Sequence, residues 1–249
     1  MEEEIKKKRK GVRLTGRDLN IIKWINSHRA ATTEQVRQKF DMSLLSAKKR
    51  LYELKSFEYL IYEKIFHEKP GVYRVGNKGI AVTTDELPPV RIRLGSYEHD
   101  LQLVDLAIAL EKKTGARWQT DRQIRHEKGL EGVGNKGHSP DGILFLPSGE
   151  KIAIELELSA KGTKRLEKIL RDYSASSYKE VWYFVGSQSI ASKILSFSFP
   201  SLKVYSLSNM QEIKAEAKQQ TIEKAETDKR TKTTEQKLEK KTMDFFRRK

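Results

Sequence analysis

Three carboxylates stand on what reads as a pair of apolar strands. Asp141 opens the first, Gly142 to Leu146, while Glu155 and Glu157 lie two apart on the second, Lys151 to Leu158. Alternate residues of a strand share a face, so the two glutamates point the same way. Carboxylates buried on an apolar strand are costly when unpaired, which asks for a cation, a Lys or Arg, or a polar cleft edge beside them. Asp141 and Glu155 supply the hard oxygens that Mg²⁺ prefers, and such an ion polarises a phosphodiester and activates water. In that version Glu157 orients the water or shares the metal, and Lys161 steadies the phosphate. In the other version the acids form a salt-bridged edge served by Lys161, Lys164 or Arg165. The residues by themselves leave both open.

A second group is basic. Ser43 to about Phe57 has helical spacing, with Leu44, Ala47, Leu51 and Leu54 on one side and Ser46, Lys49, Arg50 and Glu53 toward the other. A guanidinium grips two guanine acceptors at once, which makes Arg50 the base-reading candidate, with Lys48 and Lys49 as phosphate contacts. Two shorter helical patterns precede this one. The first, around Leu14 to Ile25, is capped by Thr15 with Asp18 in its first turn, and the second starts at Thr33 after a break at Ala31 and Thr32. After the third, Tyr59 to Phe66 and Val72 to Val75 read as a hairpin turning at Lys69-Pro70-Gly71. Three helices and a hairpin match the winged helix-turn-helix arrangement, in which the third helix enters the major groove of double-stranded DNA. Lys64 and Arg74 on the wing would add backbone contacts. The same elements also suit a protein-interaction module.

Charge favours the first of these. The 249 residues carry 49 Lys and Arg against 34 Asp and Glu, a net +15 that argues for a polyanionic partner over an acidic protein or a small apolar ligand. Residues 1 to 86 hold 19 basic and 12 acidic side chains, the most basic third. The absence of Cys excludes disulfides, thiol nucleophiles and thiolate metal sites, and suits a reducing, cytoplasmic setting. No apolar run approaches the roughly 20 residues a bilayer span needs, so no membrane partner is expected.

Gly76, Gly79, Pro88, Pro89 and Gly95 mark a junction, with a boundary near Leu87. Beyond it come a helix from Tyr97 to Lys113, a strand from Ala116 to Arg125 around Trp118 and a glycine-bearing loop from Glu127 to Ser139. The two acid-bearing strands follow, then a helix from Thr163 to Ser174 and strands at Val181 to Val185 and Leu202 to Leu207. That order makes an α/β unit with a mixed sheet. From Asn209 onward the chain is Lys, Glu, Gln, Ala and Thr, a solvated helix fraying into disorder. The expected organisation is residues 12–86, 90–208 and a charged tail, 209–249. Two copies on a palindrome, a homodimer, would be an ordinary way to use the first unit.

Tyr97-Glu98-His99-Asp100, His138-Ser139-Pro140-Asp141-Gly142 and Ile154-Glu155-Leu156-Glu157, with Lys161, Arg165 and Tyr173, together resemble the replication-relaxation family of plasmids and integrative elements. The resemblance covers roughly residues 14 to 207. It implies a winged helix followed by a restriction-endonuclease-like domain, and a part in replication, relaxation or mobilisation alongside a replication or relaxosome protein. By that resemblance Asp141 and Glu155 match the two metal-binding acids, and Glu157 stands where a catalytic Lys is usual. The departure at Glu157 favours a fold kept without cleavage, the Mg²⁺-dependent nuclease or nickase being the alternative. Glu98 resembles an additional acid from the first helix, while His99 and His138 suit scaffold roles equally well.

Overall fold

The computed structural model describes residues 11–83, 87–129, 138–197 and 199–208. The expected tail and most of the glycine-bearing loop lie outside them.

The chain opens with helix α1 (Gly16–Ser27). Thr15 accepts from the Asp18 amide while Asp18 accepts from the Thr15 amide, a reciprocal cap that satisfies two donors no helical carbonyl can reach. Ile21, Ile22 and Ile25 form its buried side. Strand β1 (Ala31–Thr32) follows, then helices α2 (Thr33–Lys39) and α3 (Leu44–Ser56), and strands β2 (Leu60–Glu63) and β3 (Val72–Val75). The three strands form an antiparallel sheet in the order β1-β3-β2, Leu60 opposite Val75 and Ala31 opposite Tyr73. Ala31 and Thr32 were expected only to interrupt a helical pattern. They pair with β3, a contact that two residues cannot announce by periodicity. Leu44 also departs from expectation: it is 46% exposed, and Ala47, Leu51 and Leu54 alone form the packed side of α3.

Helix α4 (Asn77–Thr83) packs on α1 and leads across the junction to helix α5 (Tyr97–Thr114). A mixed five-stranded sheet is built from β4 (Arg117–Thr120), β5 (Gly142–Phe145), β6 (Lys151–Glu157), β7 (Glu180–Val185) and β8 (Leu202–Ser206). Neighbours run antiparallel from β4 to β6 and parallel from β6 to β8. Helices α6 (Asp121–Glu127), α7 (Thr163–Ser174) and α8 (Gln188–Leu195) complete the unit. Two of these were not expected: α8, and α6, which takes over the second half of the strand expected from Ala116 to Arg125. Thr120 and Gln123 build a capping box that starts α6, and the Ser187 hydroxyl caps α8.

Alternation along β6 sorts the core. Ile152, Ile154 and Leu156 face α5 with Trp118, Leu144 and Phe184, whereas Ala153 faces α7 and α8 with Val181, Tyr183 and Val185. The result is three layers, helix on sheet on helices. Gly142 must lack a side chain, because a Cβ there would lie 2.0 Å from the Trp118 ring.

The two sheets are joined by polar contacts. Arg29 holds Asp121 through both guanidinium ends, at 2.9 and 2.6 Å, and Gln35 donates to the Leu101 carbonyl at 2.9 Å. Asn26 donates to the Leu87 carbonyl, Arg122 to the Pro88 carbonyl, and Lys112 pairs with Asp41. A small apolar cluster of Ala30, Val72 and Tyr97 lies beside them. No helix among the described residues is long and apolar enough to cross a membrane.

Candidate functional site

The three acids lie at one end of β5 and β6, and each has a protein partner. Asp141 immediately precedes β5, and its Oδ2 accepts the Leu156 amide at 2.9 Å. The same oxygen lies 3.3 Å from His99 Nε2, from the first turn of α5. Burial pushes the Asp141 carboxyl upward, but His99 and the Leu156 amide outweigh it and hold its pKa below the usual value. His99 is treated in the opposite sense: burial disfavours its charge, yet Asp100 and Asp141 raise its pKa to about 10. At neutral pH the pair is therefore imidazolium and carboxylate.

Glu155, 1% exposed, faces α7. Its Oε1 is 2.6 Å from His138 Nε2 and also takes the Tyr173 hydroxyl, which itself lies 3.0 Å from His138. Burial, followed by the charge of Asp141, raises the Glu155 pKa, and burial beside Glu155 sends that of Tyr173 well above its usual range. Glu157, 6% exposed, pairs with Lys161, whose strand-to-helix turn is tethered in turn by Lys193 donating to the Lys161 carbonyl. The two glutamates share a face as their spacing predicts, and each meets a partner there, His138 and Tyr173 for Glu155 and Lys161 for Glu157. The Tyr183 hydroxyl, on β7 opposite Glu155, is buried without a hydrogen-bond partner among the described residues.

Mg²⁺ asks for a convergent set of free oxygens. Here Asp141 is turned to His99 and an amide, Glu155 to His138 and Tyr173, and Glu157 to Lys161. No group of three or more His, Asp or Glu among the described residues is arranged to hold a metal. The donors in this arrangement do not fit the ion. Lys161, expected beside a phosphate, is committed to Glu157, while Lys164 and Arg165 are exposed.

The basic residues divide differently from expectation. Ser46, Lys48 and Lys49 are exposed on α3, and the two lysines make no ion pair among the described residues. Arg50 is committed elsewhere. Its guanidinium bonds Asp18 on α1 and Glu53, and donates to the Arg13 carbonyl at 3.0 Å. Asp18 is fully buried, and Arg50 and Thr15 hold its pKa down against that burial. Arg13 and Arg17, which sequence reading passed over, are exposed beside this pair. The Arg13 carbonyl accepts from Arg50 of α3, which sets that residue beside the helix.

The hairpin is also occupied. Arg74 pairs with Glu63 across its strands, and Lys64 donates to the Lys69 carbonyl. Its loop leans on α5: the Phe66 and Tyr97 rings meet edge-on at 5.1 Å, and Lys69 pairs with Glu98. Glu98, expected near the other acids, is thus bound to the hairpin.

No protein-family model matches the chain, and neither a curated protein nor a solved structure matches it significantly.

Proposed function

We propose that residues 12–86 are a winged-helix unit that binds double-stranded DNA through α3. Residues 90–208 then act as a restriction-endonuclease-like support that does not cleave, in replication, relaxation or mobilisation of a plasmid or integrative element. The observation that carries the reading is the outward face of α3, where Lys48 and Lys49 stand exposed and, among the described residues, without ion pairs, in a chain of net +15. Arg13 and Arg17 are further exposed bases of this unit, whereas Lys64, Arg74 and Arg50 are engaged by partners within the chain. Contact with the backbone therefore falls to α3, to Arg13 before α1 and to Arg17 in the first turn of α1. The partner met by each of Asp141, Glu155 and Glu157 supports the non-cleaving role, since carboxylates already hydrogen-bonded or ion-paired have less to offer a metal or a water.

A mobility-shift titration of the full chain over a salt series tests the first part. Replacing Lys48 and Lys49 together by Ala should weaken duplex binding and reduce the slope of log affinity against log salt by about 2, near one for each lost phosphate contact. Absent duplex binding at low salt would end the reading. Supercoiled plasmid carrying the element's own origin or transfer region, incubated with Mg²⁺, Mn²⁺ or chelator, tests the second part. Metal-dependent nicking lost in Asp141→Ala and Glu155→Ala would replace the supporting role with a nuclease.

A further inference from the structure

The outward face of α3 carries something that phosphate binding does not require, namely large apolar side chains in water. Leu45 is 78% exposed, Tyr52 62% and Leu44 46%, although Ala47, Leu51 and Leu54 already fill the packed side of the helix. Leu45, Lys49 and Tyr52 follow at i, i+4 and i+7, so they form one line along the helix with Lys48 beside it. Lys55 lies over the Tyr52 ring, its ammonium 5.7 Å from the centroid. Glu53, the acid of this helix, is turned to Arg50. The stripe is therefore apolar and cationic with no free carboxylate on it.

Charge complementarity selects the occupant. An acidic duplex with apolar points at groove depth matches such a stripe, and the 5-methyl group of thymine is the apolar group that the major groove presents. Leu45 is the second residue of α3, at the end of a groove-docked recognition helix that meets base edges. On the DNA-binding reading given above, we infer that Leu45 reads thymine methyl groups and is a specificity-determining residue. Tyr52, farther along the same line, packs against the sugar edge, and Lys48 and Lys49 hold the flanking phosphates. Selectivity then rests on apolar contact with A·T pairs, a role that Arg50 cannot share while it holds Asp18.

The test uses the full chain and a random duplex pool, from which bound sequences are enriched and the consensus duplex is titrated. Each thymine is then replaced in turn by deoxyuridine, which removes the methyl group and leaves the hydrogen-bonding edge unchanged. At one or more positions the wild-type chain should bind the uracil form roughly fourfold more weakly, the fold-change that burial of one methyl group corresponds to. Leu45→Ala, a change at an exposed position with no packing role, should bind both forms equally. Salt-dependent binding with no thymine preference at any position overturns the inference and leaves DNA binding standing, as does a preference that persists in Leu45→Ala. Self-association without DNA that Leu45→Ala abolishes reassigns the stripe to a second copy of the chain and also overturns it. Failure to bind any duplex at low salt removes the underlying reading as well, and is distinct from these results.

Discussion

Arg50 reaches from α3 to the buried carboxylate of Asp18 on α1, its Nε 2.7 Å from Oδ1, and so fastens two helices whose residues stand 32 apart in the chain. The same Asp18 closes the capping box of α1, which makes it a junction between a local and a long-range contact. Arg50→Ala should therefore act on stability, lowering it by about 3 kcal/mol because a buried carboxylate loses its cation. Arg50→Lys, which keeps the charge without the two-nitrogen grip, should fall between. Urea unfolding measures both. A loss below about 1 kcal/mol in Arg50→Ala would show that Thr15 alone suffices to hold Asp18.

Lys161 and Glu157 form a nearly buried pair at the end of β6, with side chains 19% and 8% exposed. Lys161→Met should cost about 3 kcal/mol by leaving Glu157 unpaired. Adding Glu157→Gln should recover more than half of that, because the uncompensated charge is then gone. A double-mutant cycle by thermal unfolding reads the coupling. Additive losses would mean that the pair contributes nothing of its own.

Two histidines pull stability in opposite directions with pH. His28 is buried near Lys39 and Arg29; burial first, then those charges, lower its pKa from 6.5 to about 3. Below pH 6.5 the unfolded chain takes up a proton that the folded chain refuses. Stability from His28 is thus complete above pH 6.5 and is lost as pH falls toward 3, at about 1.4 kcal/mol per unit. His99, raised to about 10, contributes fully below pH 6.5 and loses its contribution as pH climbs through 10. Unfolding free energies of His28→Gln and His99→Gln, each subtracted from wild type across pH, should slope with opposite signs on the two sides of pH 6.5. A flat difference curve for either variant would contradict its assignment.

Tyr183 offers a stabilising change. Its buried hydroxyl has no partner among the described residues, and burial beside Glu155, Glu157 and Asp141 raises its pKa. Tyr183→Phe keeps the ring in the core and removes an unsatisfied polar group, so stability should rise by about 1 kcal/mol. A lower melting temperature in the variant would reveal a hydrogen bond that the hydroxyl makes.

Spacing along a single element is legible before any fold is known. Thr15 and Asp18, three residues apart, announce the start of α1. Alternation from Lys151 to Leu158 places Glu155 and Glu157 on one face, and the cost of burying them demands neutralising partners. Lys161, four residues beyond Glu157, was within sight for the same reason. The partners of the other two acids emerge on folding, because they arrive from separate elements: His138 and Tyr173 for Glu155, and His99 on α5 for Asp141. The same holds for the basic residues. Periodicity turned Arg50 away from the core of α3, but the fold brings Asp18 of α1 within reach of its guanidinium. Lys64 and Arg74 likewise read as free until the hairpin supplied the Lys69 carbonyl and Glu63. Periodicity assigns a residue to a face, and packing between elements determines whether that face meets solvent or another side chain.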